Sequence, residues 1–394
     1  MIIKGDLDIL VISTACVTSI NRRIYEMFSS NYNLLLVIPK RLKIGSKFKI
    51  AEKNVSQSLN IITLDFVFQN PRIQYIRGIL KIIRINNPKV VIIENEPASF
   101  IVFLIGVYCN FFLNVKIYCI SYENFPLGFF KSIERSGFKS ILQIFLKRTF
   151  IFLNKYLIQG VFTVNNEGTS IHIEEGYKNV NKIPLGFDSR IFNINNNERE
   201  FIREKLDLEY LTFGYFGRIT EEKGIHILIN ALAGLLDYNW ELVIDEFKDY
   251  ENPYIKKLKN LLITSNTLDR VKFVNPLHID ISKYMNAVDC VVIPSISTPK
   301  WVEQYGRVAS ESLACGKLVV VSNSGSLPMV LNNNGIVFNE NDEIDLRSKL
   351  KDILIQPDFF INEINSNMAT IYAHSYLSID SQFIMMKNVI FKNI

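Results

Sequence analysis

Cysteine and histidine are scarce in this chain of 394 residues, which contains five cysteines and four histidines. The cysteines are odd in number and no two are spaced C-x-x-C, which argues against a disulfide framework and against a structural zinc site. The histidines show no metal-ligand spacing either. We therefore expect no metal centre and a reducing compartment, the cytoplasm.

Neither sign of charge dominates the chain. Lys plus Arg number 44 and Asp plus Glu number 39, for a net charge of +5. A dedicated nucleic-acid binder concentrates a larger basic excess on one face, so the composition gives no case for DNA or RNA binding. The first six residues, MIIKGD, contain no basic stretch followed by an apolar one, and we expect no signal peptide.

Two common nucleotide-binding fingerprints are absent from the sequence. It contains no G-x-G-x-x-G, and the first glycine of a P-loop ending at Lys317 would fall at position 311, which is glutamate. Cofactors of the NAD type and P-loop nucleotide binding are therefore not supported. We expect no cofactor of any kind.

One long apolar run is present, the 18 uncharged residues from Ala98 to Val115. Its length meets the criterion for a transmembrane helix. Asn110 and Asn114 interrupt it, however, and it divides into a helix-length piece and a strand-like piece over residues 115–120. Because strands buried on both faces are continuously apolar, we predict a buried helix followed by a central strand.

Short β-branched runs alternate with amphipathic stretches in both halves of the chain, which is typical of parallel, doubly wound sheets. Strands are predicted at residues 8–13, 34–38, 60–64, 90–93, 115–120 and 160–164, and again at 212–216, 241–245, 271–274, 290–293 and 318–321. Helices are predicted between them at residues 72–85, 141–156, 223–236, 253–265 and 306–315.

The periodicity stops in the segment 183–188 and in the asparagine-rich stretch 193–197. We therefore predict an α/β protein with two Rossmann-like, doubly wound domains that face each other across a cleft. The first covers residues 1–186 and the second residues 187–375. A helix over 376–394 could pack back on the first domain.

Two cations follow the first predicted strand of the second domain, in the segment GRITEEKG that starts at Gly217. Arg218 and Lys223 stand five positions apart where a helix begins. Ligands bind at the carboxyl edge of parallel sheets, and the free amides of a helix start favour an anion. An arginine can grip a phosphate with two hydrogen bonds, and a lysine adds a point charge. The residues alone fit a diphosphate clamp or two solvated loop cations.

Two carboxylates stand eight positions apart around another predicted helix start. Glu303 lies in the loop before Gly306, and Glu311 lies in a helix of otherwise small and apolar residues. A buried carboxylate needs hydrogen-bond partners, which the hydroxyl pair of a ribose would supply. The alternative is an acidic pair at the surface.

Together these elements resemble the GT-B glycosyltransferases of family 4, which are retaining enzymes that use nucleotide sugars. The matching elements are G-R-x4-K-G at 217–224, V-D-x-x-V-x-P-S at 288–295, E-x7-E at 303–311, G-x-x-P at 325–328 and an interdomain P-x-G-x-D within 183–188. They occur in the order that the family shows. The resemblance therefore covers nearly the whole chain and is strongest after residue 180.

The resemblance implies a hexosyltransferase-type enzyme that needs no metal. It would move a sugar from a nucleotide-diphosphate donor to a glycan or lipid-linked acceptor in bacterial surface polysaccharide or glycoconjugate synthesis. Its catalytic residues would be Arg218 and Lys223 on the diphosphate and Glu303 on the donor sugar, with Glu311 on the ribose. The implied donor site comprises Gly217, Arg218, Lys223, Glu303, Tyr305, Gly306, Arg307, Val308 and Glu311.

The chain also departs from the family pattern. Residues 13–21 lack the glycine pair that often follows the first strand, and 245–247 read D-E-F where G-x-G is common. Many members have a histidine where this chain has 121–124, so Glu123 and Asn124 are candidates for contact with the donor sugar or acceptor. Two other functions stay open: a nucleotide-sugar epimerase, and a catalytically silent nucleotide-sugar-binding partner in a polysaccharide-assembly complex.

Residues 125–156 form a basic segment rich in aromatics, with six Lys or Arg against one acid, Glu134. Such a segment can lie on an anionic bilayer, where each cation contributes about 1 kcal/mol. It would equally fit a core-facing helix with a solvated basic side. We expect peripheral attachment to the cytoplasmic face of a membrane.

Overall fold

The computed structural model describes residues 7–44, 47–53, 58–68, 70, 72–125, 141–248, 251–364 and 367–392. The chain divides into two compact units, Met1–Pro184 with Gln382–Ile394, and Leu185–Ser381. The division falls after residue 184, where the sequence placed it after 186. Of the segment 376–394, residues 376–381 belong to the second unit and residues from Gln382 onward belong to the first.

The described part of the first unit contains a seven-stranded parallel sheet with strand order β11-β10-β9-β8-β1-β2-β5. Its strands are β1 Ile9–Ser13, β2 Leu34–Pro39, β5 Asn60–Leu64, β8 Val90–Glu94, β9 Lys116–Ser121, β10 Gly160–Thr163 and β11 Val180–Lys182. Two small antiparallel ribbons pair β3 Arg41–Ile44 with β4 Lys47–Ile50, and β6 Phe66–Val67 with β7 Tyr75–Ile76.

The helices of this unit lie between its strands or after the last of them. They are α1 Arg23–Ser29, α2 Ile79–Asn86, α3 Phe100–Phe112, α4 Ile141–Asn154, α5 Asn166–Glu174 and, from residue 382 onward, α14 Ile379–Phe391, together with the 3-10 turns Ala15–Val17 and Ser19–Arg22. The central strands β1, β2 and β8 are buried on both faces, which explains their continuous apolar sequences.

The long apolar run folds as predicted, into helix α3 followed by strand β9. Ile101, Ile105 and Cys109 are buried against the sheet. In the described part of the chain, no helix has the length and apolar character that crossing a membrane requires.

The predicted helix 72–85 is wrong in its first half. The structure has strand β7 at Tyr75–Ile76, and the helix begins only at Ile79. Gly78 separates the two elements with a φ of +83°, a left-handed conformation that suits glycine. Ile76 is buried although it lies in the ribbon, and this continued the apolar pattern across the break.

The second unit contains a six-stranded parallel sheet of order β14-β13-β12-β15-β16-β17 among its described residues. The strands are β12 Leu211–Tyr215, β13 Trp240–Asp245, β14 Val271–Val274, β15 Cys290–Ile293, β16 Leu318–Ser322 and β17 Ile336–Phe338. The helices are α6 Asn196–Leu206, α7 Ile225–Ala233, α8 Pro253–Thr264, α9 Ile281–Ala287, α10 Arg307–Ala314, α11 Leu327–Leu331, α12 Glu343–Ile355 and α13 Asn367–Tyr376. Shorter turns are Glu221–Lys223, Leu268–Arg270, His278–Asp280 and Phe359–Ile364.

Both sheets are parallel, so within each sheet the carboxyl ends of the strands lie at one edge. In the first unit, Ser13 lies opposite Glu94, and Thr163 lies opposite Ser121. In the second, β12 and β15 are neighbours, and the loops that follow them leave from the same edge. The carboxyl edge is where open α/β sheets bind ligands.

Candidate functional site

A close backbone contact fixes the loop that carries Lys223. Gly224 has a φ of +66°, and a Cβ atom there would lie 1.8 Å from the carbonyl oxygen of Pro294. The Ile296 amide also donates a hydrogen bond to the carbonyl of Glu222 at 2.8 Å. Only glycine permits this approach, which brings Lys223 to the loop after β15.

Lys223 and Glu303 form an ion pair, with 2.6 Å between Nζ and Oε2. Ser295 donates a hydrogen bond from Oγ to the same carboxylate oxygen at 2.9 Å. The Lys223 ammonium also lies 5.0 Å from the ring centroid of Trp301. Two residues predicted to contact different parts of a donor therefore contact each other, and Glu303 is buried.

The backbone of Glu303 is held by the G-x-x-P loop. The Ser326 amide donates to the Glu303 carbonyl at 3.0 Å, and Gly325, at φ +52°, passes so close that a Cβ would lie 2.2 Å from that oxygen. Gly306 has a φ of +79° and precedes helix α10, which starts at Arg307. The motif glycines thus set the path of the chain between the two glutamates.

Glu311 is buried in α10, with 5% of its surface exposed. Burial raises the pKa of its carboxyl to about 7, against the opposing effect of the Arg307 charge. Among the described residues, no donor is hydrogen-bonded to this carboxylate. A carboxylate without a protein donor can accept hydrogen bonds from a ligand, so the site suits a ligand that offers hydroxyl groups.

Other members of the predicted donor set surround this helix start. Tyr305 is buried, whereas Gly306, Arg307 and Val308 are partly exposed. Burial raises the pKa of the Tyr305 hydroxyl well above its usual range. The segment 305–308 therefore presents a buried phenol and an accessible helix start next to the two carboxylates in sequence.

Arg218 has different neighbours from the Lys223–Glu303 pair. Its side chain is exposed and lines a cavity of about 380 Å³ together with Gly217, Asp245, Lys248 and Asn275. The Tyr215 hydroxyl donates to the Arg218 carbonyl at 2.7 Å, and the Gly217 amide donates to Asp245 at 3.3 Å. Within the described residues, no hydrogen bond joins the Arg218 guanidinium to Lys223 or Glu303.

Asp245 was not predicted as a site residue. It ends strand β13 and faces the same cavity as Arg218, and burial raises the pKa of its carboxyl. The signal that could have identified it is the departure from G-x-G at this position.

In the first unit, Glu123 is engaged in an ion pair. Its carboxylate pairs with the Lys147 ammonium at 3.0 Å, and both side chains are largely buried. Asn124 follows it in the loop after β9. Glu123 and Lys147 line a cavity of about 280 Å³ together with Asn70, Arg72, Glu96, Ala98 and His172.

Glu96 and His172 were missed by the sequence analysis. Ser121 donates from Oγ to Glu96 at 2.5 Å, the Tyr122 amide donates to the other carboxylate oxygen at 2.9 Å, and His172 Nε2 lies 2.8 Å from Ser121 Oγ. Burial raises the pKa of Glu96 to about 7 and lowers that of His172 to about 4. Glu96 follows the end of β8. Its position just beyond a predicted strand is the signal that could have identified it as a site residue.

Comparisons with known proteins agree with this architecture. Residues 196–370 match the family described as glycosyl transferases group 1. An uncharacterized glycosyltransferase of Methanocaldococcus jannaschii is 34% identical over 129 residues, 31% of this chain and 30% of that protein. The capsular polysaccharide biosynthesis glycosyltransferase CapM of Staphylococcus aureus is 29% identical over 185 residues, 44% of this chain and 46% of CapM. The matches to the first four curated relatives span only 30% to 50% of their lengths.

Solved structures match over the whole chain at low sequence identity. HepE of Anabaena in complex with UDP superposes with a TM-score of 0.73 at 18% identity, covering 96% of this chain and 98% of HepE. A glycosyltransferase of Rickettsia africae gives a TM-score of 0.73 at 17% identity, covering 99% and 100%. The chain therefore has the GT-B fold, and its residues 196–370 are similar to the glycosyl transferases group 1 family.

Proposed function

We propose that the chain is a retaining glycosyltransferase of family 4. It transfers a hexosyl group from a nucleotide-diphosphate sugar to a glycan or lipid-linked acceptor in bacterial surface polysaccharide or glycoconjugate synthesis, without a metal. The observation that carries the proposal is Glu311, a buried carboxylate with no donor among the described residues, eight positions after the Glu303 that pairs with Lys223. The titles of related structures support a nucleotide-sugar donor, since HepE was solved with UDP and with UDP-glucose.

The mechanism follows from where charge develops. When the donor bond breaks, negative charge builds on the leaving diphosphate, and fixed cations there stabilise the transition state. Lys223 is held by its ion pair with Glu303, whose carboxylate is itself held by Ser295, so the charge of Lys223 needs little reorganisation. Glu303 is engaged in these contacts, which suits a residue that positions the cation and donor sugar better than a covalent nucleophile.

Two alternative functions differ in their products. A nucleotide-sugar epimerase would release an isomer of the donor without an acceptor, and the comparisons give this alternative no support. A catalytically silent partner would bind the donor and leave it intact. Detectable hydrolysis or transfer from a donor would contradict the silent partner, and product analysis would separate an epimerase from a transferase.

The test starts with a thermal-shift screen of nucleotide sugars on the full chain, followed by turnover on the donor selected. We expect Arg218→Ala and Lys223→Ala each to lower kcat by about 100-fold, the scale for loss of one donor to a developing oxyanion. Lys256→Ala, at an exposed ion pair, serves as the matched control.

The two variants carry different risks for folding. Lys223→Ala leaves the buried Glu303 carboxylate without its cation, which destabilises the fold in its own right. Arg218 is exposed, so its replacement should leave the circular dichroism spectrum and melting temperature unchanged. Near-wild-type turnover of a folded Arg218→Ala would contradict its assignment to the diphosphate.

We further propose peripheral attachment to an anionic membrane through an aromatic face of the first unit. This face comprises Phe111, Phe112, Phe145, Phe152 and Tyr156, whose exposed fractions range from 59% to 75%. Asn110 in α3 donates to the Leu157 carbonyl at 2.8 Å, which places the ends of α3 and α4 side by side. The Lys155 ammonium lies 5.4 Å from the Phe152 ring centroid and 5.4 Å from that of Tyr156.

The cations of the basic segment are only partly available for this role. Lys147 is paired with Glu123 and Arg148 with Glu175, whereas Lys131, Arg135 and Lys139 lie outside the described residues. The proposal therefore depends more on the aromatic face than the sequence suggested. Aromatic rings at the level of the lipid headgroups contribute through buried apolar area.

Sedimentation with liposomes that contain anionic lipid tests this attachment. We expect binding at low salt that weakens as salt rises, and a loss of several-fold when Phe152 is changed to Ser. Phe201→Ser, at a ring 60% exposed in the second unit, is the control. Absence of co-sedimentation at low salt, together with good turnover on a water-soluble acceptor, would contradict the proposal.

A further inference from the structure

A cavity of the second unit lies at the carboxyl ends of three neighbouring strands, β12, β13 and β14. Arg218 lies in the loop after the first strand, Asp245 ends the second, and Asn275 follows the third. Asp245 is opposite Val274 in the register, so the side chains of Asp245 and Asn275 leave neighbouring strands at the same edge. The volume of about 380 Å³ is within the range of ligand pockets.

The proposed function leaves one part of the donor without a binding site. The diphosphate is assigned to Arg218 and Lys223. The sugar is assigned to Glu303 and the ribose to Glu311, which leaves the nucleobase. Because Arg218 also lines this cavity, a donor held by its diphosphate can place the base there. The identity of the ligand therefore rests on the proposed function.

Asp245 has a carboxylate that the protein satisfies only in part. The Gly217 amide donates to Oδ2 at 3.3 Å, a long hydrogen bond, and no described residue donates to Oδ1. Burial raises the pKa of this carboxyl, and a ligand that donates hydrogen bonds stabilises the charged form. Both oxygens therefore have acceptor capacity left for a ligand in the cavity.

Asn275 offers donors beside this carboxylate. Its Oδ1 accepts a hydrogen bond from the Lys248 ammonium. An ammonium can only donate, so this contact fixes which end of the amide is the oxygen. The Nδ2 hydrogens remain, and within the described part of the chain no group accepts them. The cavity thus combines a donor group with a neighbouring pair of acceptors.

The nucleobases differ in the hydrogen-bonding edge that they present to such a cavity. Guanine has an acceptor, O6, followed by two adjacent donors, N1–H and N2–H. Uracil has a single N3–H between two carbonyl oxygens, and adenine and cytosine have an unprotonated ring nitrogen next to the amino group. A carboxylate repels these acceptors, whereas it can accept both guanine donors in parallel.

We propose that this cavity selects guanine, so that the donor is a guanosine-diphosphate sugar. Asp245 accepts from N1–H and N2–H of the base, and Asn275 donates to O6. Asp245 lies in the segment where this chain departs from G-x-G, so the motifs do not carry this selectivity. HepE was solved with UDP, and the two proteins are only 18% identical, so a different base is compatible with the shared fold.

Titration calorimetry on the full chain with GDP, UDP and ADP tests the proposal. We expect GDP to bind at least about 10-fold more tightly than the other two, the scale on which a bidentate pair discriminates between bases. Asp245→Asn replaces one acceptor with a donor, and should weaken GDP binding by about 10-fold. It should also strengthen the binding of xanthosine diphosphate, whose C2 carbonyl can accept from the new amide. The matched control is Asp269→Asn, at an exposed aspartate before β14, which should bind GDP as the wild type does.

A second variant keeps the test valid if Asp245→Asn fails to fold. Asn275 is exposed, and Asn275→Ala should weaken GDP binding several-fold through the lost hydrogen bond to O6. The proposal is overturned if UDP or ADP binds as tightly as GDP, if Asp245→Asn does not raise the affinity for xanthosine diphosphate relative to GDP, or if Asn275→Ala binds GDP as the wild type does. A preference for another base would leave the proposed function intact, whereas failure of all three diphosphates to bind would contradict the proposed function as well.

Discussion

Glu303 and Glu311 are both buried, yet their surroundings give them different chemistry. Glu303 has a cation and a hydroxyl on one carboxylate oxygen, whereas Glu311 has only the charge of Arg307 nearby. The first carboxylate is satisfied by the protein. The second has acceptor capacity left for a ligand, and its ionisation is unfavourable until one binds.

This difference predicts a pH dependence of stability that originates at Glu311. Its pKa is about 7 in the folded chain against 4.5 for an ordinary glutamate, so the folded state binds more protons between these values. Stability from this group is complete below pH 4.5 and is lost as pH rises towards 7. Glu311→Gln removes the loss, and its stability advantage should grow with pH to at most about 3 kcal/mol.

Urea unfolding at pH 5 and pH 8 measures the effect. The matched control is Glu200→Gln, at an exposed glutamate in the same unit. An advantage of Glu311→Gln that is no larger at pH 8 than at pH 5 would show that the carboxyl is not held in its neutral form.

The spacing of motif residues predicted which side chains matter in the second unit but not how they pair. Lys223 and Glu303 are eighty positions apart, and their ion pair depends on the close approach of Gly224 to Pro294. Glu96 and His172 belong to no motif. Their link through Ser121 exists only because β8 and β9 are adjacent in the sheet, which the order of strands along the chain does not reveal.

At the scale of elements, two glycines with positive φ allow the free-energy cost of backbone strain to be separated from the cost of steric crowding. Gly224 has φ +66° with a would-be Cβ 1.8 Å from a carbonyl oxygen, whereas Gly78 has φ +83° with open space around it. Gly78→Ala should cost about 1 kcal/mol from conformation alone. Gly224→Ala should cost about 1–3 kcal/mol more, because the loop must move away from Pro294.

Chemical denaturation of the two variants gives these differences, and donor turnover shows whether the loop has moved Lys223. Turnover should fall in Gly224→Ala and stay unchanged in Gly78→Ala. Equal destabilisation in both would mean that the contact with Pro294 is not a constraint.

Most strands were predictable because a buried parallel strand has a clear sequence pattern. The predicted ranges 60–64, 271–274 and 290–293 match the observed strands, and the others differ by one residue at one or both ends. Strand β17 was missed, because its three residues are too few for a period. Helix α5 was missed because its polar and β-branched sequence has little periodicity, and it starts at the capping side chain of Asn165.

At the scale of the whole molecule, the first unit is discontinuous along the chain. Phe383 contacts Phe28 edge to face, with 4.7 Å between ring centroids, and Phe391 stacks on Tyr32 at 4.3 Å. Periodicity alone predicted a helix here. The residues that pack against this helix lie more than three hundred positions away in sequence, so only the fold reveals the contact. The two observed parallel sheets agree with the two predicted Rossmann-like domains.

We therefore predict a local effect of Phe383→Ala. Loss of the partly buried ring and its aromatic contact should destabilise the first unit by about 1–3 kcal/mol. Hydrogen exchange should rise in α1 and β2, while β12 in the second unit is unchanged. The neighbouring Ile384 is 55% exposed, so Ile384→Ala is the control. Equal exchange in the two variants would contradict a role for the Phe28 contact.

The discontinuity also orders events during biosynthesis. Residues 382–392 leave the ribosome only after the whole of Leu185–Ser381 has been made, which takes roughly 10–40 s at about 5–20 residues per second. For that interval the nascent first unit leaves Phe28 and Tyr32 without their aromatic partners, while the second unit can fold as one uninterrupted segment. Nascent chains arrested before residue 382 would therefore expose an apolar surface on a sheet otherwise fully synthesised, and this surface is where a ribosome-associated chaperone would act.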